Sequence, residues 1–266
     1  MKYFLGKQVL LTGGSSGIGL AAARILRGSG AELILVARDP ERLERARQEL
    51  AGLPGPGEVL TLGLDVGDPR AVEASGLGER PLDVLIHNAG ISRPGNFLDL
   101  PPSTFEEMLR VNYLGSVHLT RLILPGMLER GGGHIAFVCS LLGVMGIGGY
   151  SAYAASKFAM RGFAECLRGE LRAHRIRVSV CYPPDTDTPQ HEAEKQWLPP
   201  ETVAIARWGG CMSAEAVAGA LLRGMAANRF QILPGLEARF LEMASRFFPG
   251  WVRWALDRIA ATARGT

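Results

Sequence analysis

The stretch Val9-Leu10-Leu11-Thr12-Gly13-Gly14-Ser15-Ser16-Gly17-Ile18-Gly19 decides the fold. Val9 to Leu11 reads as a buried strand, and the glycine-rich run after it reads as a tight turn. An apolar helical pattern follows from Leu20 to Leu26, closed by Gly28-Ser29-Gly30. Strand, glycine turn and helix together form a dinucleotide fingerprint: the glycines let the backbone approach a pyrophosphate that rests on the helix N-terminus. A plain tight turn between a strand and a helix would need less glycine and no such flanks.

Working outward, Leu33 to Val36 reads as a second strand, followed by Ala37-Arg38. An NAD-binding fold places an acid here for the ribose 2′-hydroxyl. An arginine instead can pair bidentately with a 2′-phosphate, so Arg38 points to NADP(H). Arg42, Arg45 and Arg47 follow on a helix expected to be exposed, which leaves a simple solvated arginine as the other reading. Further strands are expected at Glu58 to Gly63, ending in Asp65-Val66, and at Asp83 to His87, ending in Asn88-Ala89-Gly90. His134 to Cys139, Arg177 to Tyr182 and Phe230 to Leu233 complete the set. Long helices are expected from Ser103 to Arg130, with Ser103 and Glu106 as a capping box, and from Tyr150 to His174. Ser213 to Ala227 is a third. This alternation predicts an α/β fold, a Rossmann-type doubly wound parallel sheet of about seven strands with helices on both faces. Ligands of such sheets bind beyond the carboxyl ends of the strands, where Gly13, Arg38, Asp65, Asn88, Ser140 and Pro183 all fall.

Ser140 ends one strand, and Tyr153 and Lys157 lie near the start of the next helix. Residues four apart share a helix face, so Tyr153 and Lys157 point the same way. A free tyrosine titrates at about 10 and is a poor acid or base at neutral pH. A nearby ammonium is expected to lower that value and let the phenol exchange a proton with a carbinol oxygen. Ser140 can hydrogen-bond the same oxygen. A surface Tyr and Lys on an ordinary helix is the bland alternative, and Ser140 weighs against it.

The 266 residues are 47% hydrophobic with 34 glycines, which suits one globular α/β domain. A net charge of +3 gives no pull toward nucleic acid. Cys139, Cys166, Cys181 and Cys211 show no CxxC or metal spacing, so buried thiols, no metal and a reducing compartment, the cytoplasm, are expected. No signal-peptide core opens the chain, and no apolar run reaches membrane-spanning length. Gly52-Leu53-Pro54-Gly55-Pro56-Gly57 reads as a loop. Residues 1–233 are expected to form the nucleotide-binding catalytic domain and 234–266 a C-terminal amphipathic helical tail. In that tail Phe240, Met243, Phe247, Trp251 and Trp254 recur at roughly helical spacing, with Arg239, Arg246 and Arg253 every seven residues. Pro249-Gly250 breaks it into two helices. Such a tail suits a membrane surface, or packing on the domain or on a subunit neighbour.

These residues resemble the short-chain dehydrogenase/reductase family. Its glycine motif falls on Thr12, Gly13, Gly17 and Gly19, its Asn-Ala-Gly on Asn88, Ala89 and Gly90, and its tetrad on Asn112, Ser140, Tyr153 and Lys157. The resemblance implies hydride transfer between a nicotinamide and a carbonyl. Tyr153 would be the acid/base and Ser140 would polarise the substrate oxygen. Lys157 would hold the nicotinamide ribose, and Asn112 a water in a proton relay. The implied NADPH site comprises Gly13, Ser15, Ser16, Gly17, Ile18, Gly19, Arg38, Arg42, Asp65, Val66, Asn88, Ala89, Gly90, Tyr153, Lys157, Pro183, Thr186 and Thr188. A homodimer or homotetramer through the two long helices is implied as well.

The run Tyr182-Pro183-Pro184-Asp185-Thr186-Asp187-Thr188-Pro189 narrows the resemblance. It is similar to that of the 3-ketodihydrosphingosine reductases, as are Asn112 to Val117 and Ala152 to Gly162. That similarity implies NADPH-dependent reduction of 3-ketosphinganine to sphinganine, a step of sphingolipid synthesis. Asp185 or Asp187 would pair with the substrate ammonium, or else cap the following turn. Trp197, Leu198, Val203, Ile205 and Trp208 would form an apolar wall. Cys139 departs from the family, where a second serine is common. Rival readings are a reductase of another hydrophobic ketone, a steroid or 3-oxoacyl thioester, and a non-catalytic NADP-binding regulator. The intact tetrad weighs against the regulator.

Overall fold

A computed structural model describes residues 1–55, 58–207 and 209–264. Strand β1 (Gln8–Thr12) leads through the glycine turn into helix α1 (Gly17–Gly28), then β2 (Glu32–Ala37), α2 (Pro40–Ala51) and β3 (Val59–Gly63). After the short α3 (Pro69–Glu73) come β4 (Val84–His87), α4 (Pro102–Met108) and α5 (Gly115–Glu129). Strand β5 (Gly133–Val138), α6 (Ser151–Leu171) and β6 (Ile176–Cys181) follow. A two-residue strand β7 (Thr186–Asp187) opens an excursion through α7 (Pro189–Glu194) and α8 (Pro200–Ala206). The excursion closes on β8 (Met212–Ser213), before α9 (Ala214–Ala226) and β9 (Gln231–Ile232) return the chain to the main sheet.

The main sheet is parallel, in the order β3-β2-β1-β4-β5-β6-β9. Strand order reverses between β1 and β4, which opens a crevice at their carboxyl ends. Burial on both faces explains why the strands read as near-continuous apolar runs. Alternate side chains feed opposite layers: Leu10 joins a core with Leu85, Phe137 and Met160, whereas Val9 and Leu11 pack with Ala22, Leu26 and Leu222. The expected fold is observed, with Ser213 capping α9 through Ala216 N.

The structure corrects the expected helix at Ser103 in two ways. Pro102 occupies its first turn, and Thr104 N bonds Pro101 O, so Ser103 lies inside the helix and forms no capping box. Proline at the first helical position is pre-set for the helix and has no amide to satisfy, which moves the start ahead of Ser103. Between α4 and α5, residues Leu109–Leu114 widen into a π-helical segment holding Asn112. Such widened turns are uncommon and cluster at functional sites. The thiols differ too: Cys139 and Cys181 are buried, but Cys166 and Cys211 are exposed, and all four are free. Of the expected loop at Gly52, Pro56 and Gly57 lie outside the described residues, as does Trp208.

Past β9, the chain forms α10 (Gly235–Phe247) and α11 (Pro249–Arg264), broken at Pro249 as its spacing indicates. Helix α11 packs against α8, and Ala238, Ala244 and Val252 are buried. Leu236, Phe240, Met243, Phe247, Phe248, Trp251 and Trp254 keep more than half of their surface exposed. Among the described residues no helix is long and apolar enough to cross a membrane.

Candidate active site

The glycine turn is locked to the end of β4. Thr12 Oγ1 accepts from Asn88 N and Ala89 N, both at 2.9 Å, and Asn88 Nδ2 donates to Thr12 O (3.0 Å) and Gly13 O (3.1 Å). Two glycines make this possible. Gly13 has φ +65°, and a Cβ there would lie 2.7 Å from Asn88 Nδ2. At Gly19 an added Cβ would fall 2.1 Å from Gly13 O. Thr188 closes the far side, its methyl 3.1 Å from where a Gly17 Cβ would stand, while its hydroxyl caps α7 by accepting from His191 N.

This turn forms one end of a cavity of about 660 Å³. Gly13, Ser16, Gly17, Ile18, Asn88, Ala89 and Gly90 line that end, and Pro183, Thr186 and Thr188 continue it. Ser15 and Gly19 support the turn without lining the cavity. Arg38 is exposed at the end of β2, in no ion pair among the described residues, and Asp65 senses its charge. Arg42 pairs with Asp39 Oδ2 at 3.1 Å on the surface. Asp65 is engaged by Arg110 Nη1 at 2.9 Å and accepts from Gly67 N, and Val66 packs beside Gly115. The cradle fits a dinucleotide: closely approachable backbone at a helix N-terminus, with an exposed guanidinium after β2 that is in no ion pair among the described residues.

Ser140 and Tyr153 line the cavity floor together, close enough that the Ser140 hydroxyl steadies the Tyr153 phenolate. Ser140 Oγ also accepts from Leu142 N at 3.1 Å, which fixes its rotamer. Lys157 is buried; its Nζ donates to Val138 O at 3.1 Å and sits 5.5 Å from the centre of the Tyr153 ring. The shared helix face is therefore as expected, but the electrostatics are not. Burial, and next the Glu194 charge, push the Tyr153 phenol up from its ordinary value, and Lys157 does not offset them. The ammonium is itself desolvated and turned toward the β5 carbonyl rather than the phenol oxygen, so the expected lowering is absent. A phenol held up in this way is protonated at neutral pH, as a proton donor must be.

Asn112 is buried behind this floor. Its Oδ1 accepts from Ile91 N (2.8 Å), and its Nδ2 donates to Ile91 O and Ser156 Oγ, both at 2.9 Å. Its amide group thus clamps the loop after β4 at Ile91 and ties the widened helix to α6 at Ser156.

The cavity's other end is apolar. Leu198 and Ile205 contribute as expected, but most of this wall comes from the tail: Phe240, Leu241 and Ala244 of α10, and Trp251, Val252, Leu256 and Ile259 of α11. Three expectations are corrected. Trp197 stands outside the cavity, half-exposed beneath the Arg93 guanidinium, which draws the ring to the surface. Asp187 faces solvent from β7, and Val203 is not part of the wall. Asp185 does line the cavity, at its exposed rim, and the cap of α7 is Thr188 rather than either aspartate. Sequence reasoning missed Tyr150 and Glu194, which line the cavity beside Tyr153. The only local signal was the Gln190–Glu194 spacing of four.

Residues 7–199 match the family described as short chain dehydrogenase. The chain is 37% identical over 243 residues to a 3-ketodihydrosphingosine reductase of Bos taurus, covering 89% of this chain and 73% of that protein. It is 39% identical over 232 residues to a 3-dehydrosphinganine reductase of Danio rerio, covering 85% and 70%. A short chain dehydrogenase from Burkholderia cenocepacia, solved in complex with NADP, superposes with a TM-score of 0.80 at 22% identity over 96% of this chain and 99% of that one. With the glycine cradle, the Ser140–Tyr153 pair and a family match over most of its length, the chain belongs to the short chain dehydrogenase family.

Proposed function

We propose that the protein reduces 3-ketosphinganine to sphinganine with NADPH. One observation carries the reading: the Ser140–Tyr153 pair lies on the floor of a cavity whose far wall is apolar and built from the C-terminal helices. That combination suits a ketone with a short polar head and a long hydrocarbon chain. The names of the relatives above support it. Residues 1–233 would then be the catalytic domain, and 234–266 a tail that completes the substrate site.

Bound NADPH supplies the hydride that reduces the carbonyl carbon. The glycine turn and the N-terminus of α1 would hold its pyrophosphate, and Lys157 would hold its ribose. Ser140 donates a hydrogen bond to the carbonyl oxygen. Tyr153 delivers the proton to that oxygen as it gains charge; burial keeps the phenol protonated until then. Asn112, its side chain spent on Ile91 and Ser156, serves the relay by holding the widened helix in place.

Arg38 sets the cofactor preference. Arg38→Asp removes the partner of a 2′-phosphate and adds repulsion, so the NADPH:NADH ratio of kcat/KM should fall by about 100-fold, with NADPH losing and NADH gaining. Steady-state kinetics with both cofactors check this; equal efficiency of the unmodified enzyme with the two would remove Arg38 from the argument.

Two associations complete the reading. The exposed aromatics of α10 and α11, with Arg239, Arg246 and Arg253, form a surface suited to the bilayer where such a substrate resides. Exposed Leu114 and Phe158 on and beside the long helices suit a homodimer or homotetramer. Co-sedimentation with anionic vesicles and light scattering test these two; no vesicle binding and a monomer would contradict them.

A further inference from the structure

Glu194 ends α7 and points into the cavity with 6% of its surface exposed. The Tyr150 hydroxyl donates to its Oε2 at 3.0 Å, and Gln190 Nε2 donates to its Oε1 at 3.1 Å. Both oxygens are therefore oriented by neutral donors. Ser92 Oγ is buried nearby and has no hydrogen bond of ordinary geometry, yet it lies close enough to steady the carboxylate charge. Among the described residues no cation forms an ion pair with Glu194. Burial pushes its carboxyl above the usual range, which the three donors and the more distant His191 only partly oppose. A buried carboxylate without a cation is costly, and a cationic ligand would remove that cost.

The place where a cation would be received is set by the neighbours. The Tyr150 and Tyr153 rings are 6.0 Å apart, and Glu194 is the charge that Tyr153 feels most strongly. The carboxylate thus flanks the position of a carbonyl held by Ser140 and Tyr153. Asp185, the acid expected for this task, lines the same cavity and is partly desolvated, but it is the more exposed of the two and has the better screened charge.

We propose that Glu194 is a specificity-determining residue that receives the ammonium of a substrate carrying its amine on the carbon next to the reacting carbonyl. This rests on the ketone-reductase reading above. Selection then comes from a desolvated charge pair made only by amino ketones, while the apolar wall accepts the chain of any long ketone.

The test compares 3-ketosphinganine with the same ketone lacking the amine, 1-hydroxyoctadecan-3-one, in the full chain and in Glu194→Gln. Glutamine keeps an acceptor for Tyr150 and removes the charge. The efficiency on the amino ketone relative to the neutral ketone should fall by about 10- to 100-fold, the range for a charged hydrogen bond; any change in the Tyr153 proton donor on loss of the Glu194 charge acts on both substrates and cancels in that ratio. An equal change on both substrates overturns the proposal. An amine-selective loss in Asp185→Asn with none in Glu194→Gln overturns it in favour of the rim acid. A second readout is calorimetric binding of sphinganine and of octadecane-1,3-diol to the NADP-loaded protein. Glu194→Gln should weaken only the amine, and equal weakening of both ligands overturns the proposal. Should the unmodified protein reduce neither ketone, the reductase reading fails, and the binding comparison still decides the role of Glu194.

Discussion

Tyr153→Phe is expected to lower turnover by about 10²–10⁴-fold, the range of general acid catalysis, with little change in NADPH affinity. The ring packs against Leu100, Met108 and Ala152, and phenylalanine preserves that packing. Only the hydroxyl is removed, and with it the transferable proton beside Ser140. Turnover under single-turnover conditions, together with NADPH titration by fluorescence, separates the two effects. Activity within a few-fold of the unmodified enzyme would exclude Tyr153 as the proton donor. A matching loss of NADPH affinity would mean that the ring positions the cofactor instead.

Gly19→Ala is expected to weaken NADPH binding by about 10- to 100-fold and to lower stability by about 1–3 kcal/mol, as for an overpacked core site. The new methyl would stand 2.1 Å from Gly13 O and 2.6 Å from Asn88 Nδ2. Backbone cannot yield as a flexible side chain can. The glycine turn must open, which strains the two hydrogen bonds that Asn88 gives to Thr12 O and Gly13 O. Those bonds tie the ends of β1 and β4 together at the crevice. Gly28→Ala is the matched control: a Cβ there meets nothing within 4 Å, so cofactor binding should be unchanged. Calorimetric titration with NADPH and thermal melts read both quantities. Unaltered binding in Gly19→Ala would mean that the cofactor does not use this turn.

The parts of the site that were legible in the sequence are set by local chain geometry. The glycine turn announces itself because strand, turn and helix are consecutive, and Tyr153 and Lys157 because a spacing of four fixes a helix face. What was not legible depends on distant segments meeting. Glu194 reaches Tyr150 across 44 residues of chain, and Arg110 reaches Asp65 across 45. No periodicity marks either pairing. The tail's aromatic spacing and Pro249-Gly250 indicated two helices but not that one edge would wall the cavity, since that follows from α11 docking on α8. The sign of the Tyr153 shift was missed for the same reason: it is set by burial and by Glu194, neither of which follows from Lys157 being four residues away. Ser103 failed as a cap because Pro101-Pro102 fixes the helix start before any side-chain cap is needed.

The central claim is tested most directly by incubating the full chain with NADPH and 3-ketosphinganine, following NADPH oxidation and identifying the product by mass spectrometry, with a 3-oxoacyl thioester and a steroid ketone in parallel. The account predicts stoichiometric sphinganine and a kcat/KM for 3-ketosphinganine above that for either alternative. NADPH oxidation with the thioester or the steroid but no sphinganine from the sphingoid ketone would contradict it.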